Sequence, residues 1–226
     1  MRVLITAGPT REPIDSVRFI TNASSGQMGL ALAEAASQAG CDTTLLLGPV
    51  NPQFRTAAAE HAHVVPFTTV EDLRDKLTRL FPRHDALIMA AAVGDFRVEQ
   101  VSERKIRRVN GPVHLTLVPT EDVLAGVAAT KRDDQFIVSF AVEDGSPDES
   151  QARARRELAA KNADFVVVNT PDAMSSPRSL ACILSADEVL LRWGVRPKKI
   201  IAAAIVRLLC KVSQKQRAEK AKPHAG

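Results

Sequence analysis

Short apolar runs alternate along the chain with stretches of helical period. Residues 2–7 (RVLITA) predict a buried strand, and residues 27–39 (QMGLALAEAASQA) an Ala/Leu-rich helix closed by Gly40. A second strand is expected over 43–47, a third over 63–67, and an amphipathic helix over 70–80. Residues 86–93 (ALIMAAAV) form a fully apolar fourth strand. A helix over 120–130 with Thr120 at its N-cap, a fifth strand over 136–142, a charged-faced helix over 150–161 and a sixth strand over 164–168 follow. Residues 180–184 and 188–193 flank Ser185-Ala186-Asp187 and predict a hairpin, before a closing helix over 198–211.

Strands that are apolar throughout, alternating with helices, predict a mainly parallel sheet covered on both faces. The expected fold is a doubly wound, Rossmann-like α/β domain over 1–211 with a C-terminal β-hairpin. Two polar stretches interrupt the pattern, at 8–25 and 97–119, where connections of about 2–6 residues are usual. Both leave the carboxyl ends of strands, the first and the fourth. Ligands of open α/β sheets bind beyond those ends, so both loops are expected over one crevice.

The chain has 226 residues, of which 45% are hydrophobic and 25% charged, which suits one domain with its own core. Its net charge of +4 is concentrated at the ends. The basic stretch from Lys211 to Lys222 has one acid, Glu219, and no aromatic residue. Residues 212–226 are therefore expected to be a disordered, solvated tail rather than a nucleic-acid arm. Cys41, Cys182 and Cys210 are odd in number and widely spaced, which argues against a disulfide framework or zinc site and fits a cytoplasmic location. No apolar run approaches the ~20 residues of a membrane helix, so no membrane association is expected. The histidines at 61, 63, 84, 114 and 224 form no ligand constellation.

Ser24-Ser25-Gly26-Gln27-Met28-Gly29 lies where a helix begins. Free N–H groups and the helix dipole suit a phosphate or carboxylate there, with Gly26 and Gly29 admitting close approach. An ordinary N-cap by Ser24 or Ser25 is the competing reading. A dinucleotide fold needs its glycine turn directly after the first strand and an acid after the second. Here the glycine turn comes late and the second strand runs into Gly48-Pro49, which counts against an NAD-dependent reductase. Gly8, Pro9 and Thr10 form a sharp turn with exposed N–H groups. The small residues Ala90, Ala91 and Ala92 leave room for a flat base, and Asp95 is suited to a ribose hydroxyl or metal-bound water. The basic run Lys105-Ile106-Arg107-Arg108 is either a solvated face or a mobile clamp on phosphates.

ITAGPTREPIDSVRFITNASSGQMG, AAAVGDFRV, KIRR, PTEDVLAGVA, SFAVED and KNADFVVVN occur in that order and together resemble the phosphopantothenate–cysteine ligase family. The resemblance runs from Arg2 to about Asn169 and more loosely to Lys211. It implies a ligase of coenzyme A biosynthesis that joins 4′-phosphopantothenate and L-cysteine. The carboxylate attacks the α-phosphate of CTP, pyrophosphate leaves, and the amine of cysteine then displaces CMP from the acyl cytidylate. Magnesium would accompany the triphosphate, with its protein ligands unassigned. ATP is the alternative nucleotide. The flavin-binding decarboxylase half that precedes this domain in many bacteria has no counterpart here, so no flavin is expected.

Residue by residue, the resemblance makes Asn22 catalytic, donating to the acyl oxygen, and Lys105 a phosphate contact on a flap. Gly8, Pro9, Thr10, Met89, Ala90, Ala91, Asp95, Glu121, Asp122, Val123, Leu124, Phe140 and Lys161 are implied for the nucleotide. Ser24, Ser25, Gly26, Gly29 and Ala92 are implied for the substrate or anion. Three departures stand out. Gln27 replaces the lysine of the family's usual SSGKMG, Glu157 replaces a common lysine beside Arg156, and Val168-Asn169-Thr170 replaces a common AND. A homodimer is implied, with residues 113–117 (VHLTL) expected as an interface or edge strand. A non-catalytic nucleotide-binding relative is the alternative motivated by Gln27 and Glu157.

Overall fold

Strands that are apolar on both faces have to be covered on both faces. The computed structural model, which describes residues 1–108, 111–174 and 176–220, has that cover. In chain order the elements are β1 (Arg2–Ala7), β2 (Arg11–Pro13), β3 (Phe19–Thr21), α1 (Gln27–Gln38), β4 (Asp42–Leu47) and α2 (Pro52–Ala59). Next come β5 (His63–Pro66), α3 (Val70–Leu80), β6 (Ala86–Met89), β7 (Phe96–Val98), β8 (Leu117–Pro119) and α4 (Val123–Ala128). The chain continues through β9 (Phe136–Val142), α5 (Pro147–Ala160), β10 (Phe165–Asn169), β11 (Arg178–Leu184), β12 (Val189–Pro197) and α6 (Lys198–Lys220).

The main sheet has the order β12-β11-β10-β9-β6-β1-β4-β5. From β5 to β10 the neighbours are parallel; β11 and β12 add an antiparallel hairpin. Chain order reverses between β1 and β6, the point at which a doubly wound sheet opens a crevice. Leu32 of α1, Ala58 of α2 and Ile205 of α6 pack on one face. Leu73 of α3, Val127 of α4 and Leu158 of α5 pack on the other. The expected architecture, hairpin included, is the observed one. All three cysteines are free thiols.

Several local expectations change. The fourth strand stops at Met89 rather than Val93, because the Thr6 hydroxyl, not a strand carbonyl, accepts the N–H of Ala91 at 3.1 Å. Thr120 does not cap α4. Its hydroxyl donates to Gly94 O at 2.6 Å, and the Asp122 carboxylate caps the helix by accepting from Ala125 N at 3.0 Å. Helix α5 starts earlier than expected, at Pro147, behind a reciprocal Ser146–Glu149 capping box. Residues 113–116 are not strand. Only Leu117 of the expected segment is, and β8 pairs with β7. Helix α2 is an addition to the expected elements; Asn51 caps it by accepting from Gln53 N, and Pro52 opens its first turn. Helix α6 runs through residues 212–220, expected as a disordered tail. Gln216 Nε2 donates to Asp133 O at 2.7 Å and Arg217 meets Asp85 at 3.6 Å, tertiary contacts that local composition does not encode. Residues 221–226 of that expectation lie outside the described residues.

Both insertions are braced. The 14–18 turn between β2 and β3 buries the Asp15 carboxylate, which accepts from the Arg18 guanidinium, from Val17 N and Arg18 N at 2.8 Å each, and from Ile106 N at 3.0 Å. Arg18 in turn donates to Ile106 O at 2.8 Å. The second insertion is thus latched to the first beside Lys105. Chiefly because of Arg18, the Asp15 carboxyl is held well below the ordinary carboxylate range. A depressed pKa means that the latch is complete above the unfolded-state value and is lost only as pH falls through the folded one.

Helix α1 lies on β1 without a gap. A Cβ on Gly29 would stand 2.0 Å from Ala7 Cβ. Gly29→Ala should therefore destabilise the protein by about 1–3 kcal/mol, seen as a lower urea midpoint with an unchanged slope; a wild-type midpoint would refute this close packing. Asp15→Asn should leave the fold intact but speed tryptic cleavage at 105–108 several-fold at neutral pH. Unchanged cleavage would show that the latch does not restrain the second insertion.

Candidate active site

A cavity of about 620 Å³ opens at the carboxyl ends of β6, β9 and β10, beside the strand-order reversal, which is within the range of ligand sites. Its walls come from the start of α1, the exit of β6, the start of α4, the ends of β9 and β10, and the first residue of α6.

The α1 wall presents free backbone donors to the cavity. Gly26 precedes the helix with φ 78°, a conformation that glycine adopts without strain, and no side chain caps the helix start. Neither serine serves as the ordinary cap. Ser25 Oγ donates to Met174 O at 3.2 Å, and Ser24 Oγ accepts from Gly26 N at 3.4 Å. The first helical bond is Leu30 N to Gly26 O at 3.2 Å, so among the described residues the N–H groups of Gln27, Met28 and Gly29 have no partner. No acidic residue lies in the first turn.

The exit of β6 carries Met89, Ala90, Ala91, Ala92 and Asp95 along the cavity. Asn22 reaches it from the end of the first insertion. Its Nδ2 donates to Ala92 O at 3.2 Å and Val93 O at 2.9 Å, so its amide ties the two loops together. To donate to a ligand, Nδ2 has to exchange one of these carbonyls. Gly8, Pro9 and Thr10 do not line the cavity but brace it from below. Thr10 is buried, its N–H donates to Ala92 O at 3.2 Å, and its hydroxyl accepts from Gly94 N at 2.9 Å. Gly8 has φ 80° against Gly48 and Val50.

Glu121, Asp122, Val123 and Leu124 line the α4 side, with Phe140 at the end of β9. Glu121 is turned outward onto Arg74 at 2.8 Å. Lys161 lies 3.5 Å from both Asp122 and Glu157, so the carboxylate at the departure position draws on the charge of the lysine. Besides the outward-turned Glu121, the acidic residues Asp95, Asp122, Glu143 and Glu157 line the cavity, with two lysines, Lys161 and Lys198. An anionic ligand therefore needs cations from elsewhere.

Lys105 does not line this cavity. With Arg18, Arg107 and Arg108 it surrounds a separate basic hollow of about 470 Å³ on the insertions. Sequence reasoning missed Arg18, Asn169, Glu143, Met174 and Lys198. Asn169 was legible as a polar residue ending an apolar strand; its Oδ1 is buried at the cavity and has no hydrogen-bond partner among the described residues. Lys198 gave no signal, because only the return of β12 brings it there.

The chain is similar to several known proteins. A Mycobacterium tuberculosis protein named Coenzyme A biosynthesis bifunctional protein CoaBC is 42% identical over 175 residues, covering 74% of this chain and 41% of that protein. A protein named Cysteine/Cysteine sulfinic acid decarboxylase, from an unknown prokaryotic organism, is 36% identical over 210 residues, covering 91% of this chain and 57% of that one. The chain thus spans about half the length of these curated relatives. The crystal structure of the C-terminal domain of Coenzyme A biosynthesis bifunctional protein CoaBC superposes with a TM-score of 0.75 at 32% identity, covering 95% of this chain and 98% of that chain. The profile of the DNA/pantothenate metabolism flavoprotein C-terminal domain matches residues 1–212, and the chain belongs to that family.

Proposed function

We propose that this domain is the ligase that joins 4′-phosphopantothenate to L-cysteine, with CTP as its nucleotide. The observation that carries the reading is the convergence in one crevice of an uncapped helix start, Asn22, and the small-residue exit of β6. Its kinship with the C-terminal domain of CoaBC supports the reaction class.

A free carboxylate is a poor acylating agent, so it is first activated. The carboxylate oxygen of phosphopantothenate forms a bond to the α-phosphorus of CTP and pyrophosphate leaves. The cysteine amine then attacks the acyl carbon, CMP leaves with the bonding pair, and the amine proton passes to solvent. The start of α1 binds an anionic group of the substrate through its free N–H donors. Asn22 orients the acyl oxygen and stabilises the charge that develops on it. Ala90 and Ala91 admit the base, and Lys161 and the start of α4 hold the nucleotide.

Four carboxylates along a crevice that takes a triphosphate fit a divalent ion that travels with the nucleotide. Among the described residues no group of three His, Cys, Asp or Glu side chains could hold a metal, so magnesium would keep mostly phosphate and water ligands. Asp95, whose carboxylate has no partner among the described residues, is suited to one of those waters. When bound, the ion neutralises phosphate charge. Lys105, Arg107 and Arg108 supply the remaining cations when the insertion closes over the crevice. A homodimer through the two hairpins suits the exposed Phe19, Phe96, Val113 and Leu117.

The hold of Glu157 on Lys161 favours one other reading, a non-catalytic nucleotide-binding relative. Pyrophosphate release separates the two. The folded protein should release pyrophosphate from CTP only with phosphopantothenate present, and form the amide only when cysteine is added. Absence of turnover with both CTP and ATP would overturn the ligase reading. Asn22→Ala should lower turnover by roughly 10²–10³-fold while nucleotide binding persists.

A further inference from the structure

The crevice wall before α4 is pinned on both sides of Glu121. Thr120 N donates to Asp95 O at 2.9 Å, and its hydroxyl donates to Gly94 O at 2.6 Å. Asp122 caps α4 through Ala125 N at 3.0 Å and meets Lys161 at 3.5 Å. With its neighbours fixed in this way, Glu121 places its charge mainly through its side-chain rotamer. The residue lines the cavity, yet its carboxylate is turned away from it, onto Arg74 of α3. Nη1 of Arg74 donates to Glu121 Oε1 at 2.8 Å.

Arg74 does not line the cavity, and two acids of its own helix orient it. Its Nε donates to Asp75 Oδ1 at 2.8 Å and its Nη2 to Glu71 Oε1 at 3.3 Å. A guanidinium keeps its proton at any working pH, and its planar fork can meet more than one carboxylate at once. The side chains of Arg74 and Glu121 are 37% and 48% exposed, and so exposed a pair contributes little to stability. What the pair changes is the placement of charge. Asp95, Asp122, Glu143 and Glu157 already line the crevice, against Lys161 and Lys198. One more carboxylate swung toward the cavity would repel a polyanion.

We propose that Arg74 is a positioning residue for the nucleotide: it holds the Glu121 carboxylate out of the crevice so that a nucleoside triphosphate can enter. The inference rests on the ligase reading, in which this crevice takes CTP. It deepens that reading by naming a residue outside the cavity on which nucleotide affinity depends. Without Arg74 the Glu121 side chain is free to turn toward the cavity, where its negative charge opposes the phosphates. The effect is electrostatic, so it grows with the charge of the ligand and falls as salt screens it.

Calorimetric titration of the full chain with magnesium CTP and with uncharged cytidine tests this. Arg74→Met should weaken CTP binding roughly three- to tenfold at low salt, with a smaller loss at high salt and none for cytidine. Arg74→Met combined with Glu121→Gln should recover most of the lost affinity, because the carboxylate that Arg74 restrains is then gone. Arg74→Lys, which keeps the charge, should retain part of it. Both side chains are exposed, so each variant should keep a urea midpoint near that of the wild type. An equal loss for cytidine would overturn the proposal, as would a loss that Glu121→Gln does not recover; either result makes Arg74 a structural tie between α3 and α4. If the wild-type protein binds CTP and Arg74→Met binds it equally well, the role of Arg74 alone fails. If the wild-type protein binds neither CTP nor ATP, the ligase reading fails and the proposal with it.

Discussion

The contact of Gly29 with Ala7 brings α1 onto β1 so closely that no side chain fits between them. Because β1 is central and borders the reversal in strand order, this contact also decides where the N-terminus of α1 points. The uncapped N–H groups of the helix then face the crevice instead of solvent or a neighbouring serine. A slightly larger separation would leave the same sequence with the same helix, but with its dipole aimed elsewhere.

The two insertions depend on this frame. The first leaves β1 and ends at α1, so both of its ends are fixed, and Asn22 is carried back across the β6 exit to hold Ala92 and Val93. Thr10 holds the same loop from beneath through Gly94. The second insertion is fastened to the first by Asp15 and Arg18 at Ile106. Charge is distributed along the same lines. The crevice walls are rich in carboxylates, while the cations of the insertions gather in their own hollow.

Departures from the family's usual pattern take on physical meaning in this setting. Glu157 does more than remove a cation: it lies 3.5 Å from Lys161, which also faces Asp122. Gln27 leaves the first turn of α1 uncharged, yet the cavity it faces contains Lys198 from a distant part of the chain.

Much of the fold was legible in the sequence. Apolar strands alternating with helical periods determined the parallel sheet, its double cover and the hairpin, because burial on both faces leaves no polar position to alternate. The two long polar stretches marked where the site lies, and the first of them carried a resemblance specific enough to name a family. Boundaries were less legible. Met89 ends its strand because the Thr6 hydroxyl intervenes, and α6 continues to Lys220 because Asp133 and Asp85 receive its side chains. Only the tertiary structure decided which candidates share the cavity. It set Gly8, Pro9 and Thr10 beneath the site and Lys105 beside it, and brought in Asn169 and Lys198 from strands and helices far along the chain. The physical reason is that periodicity and composition report local burial and propensity, whereas the approach of two side chains depends on the crossing of elements separated by a hundred residues or more.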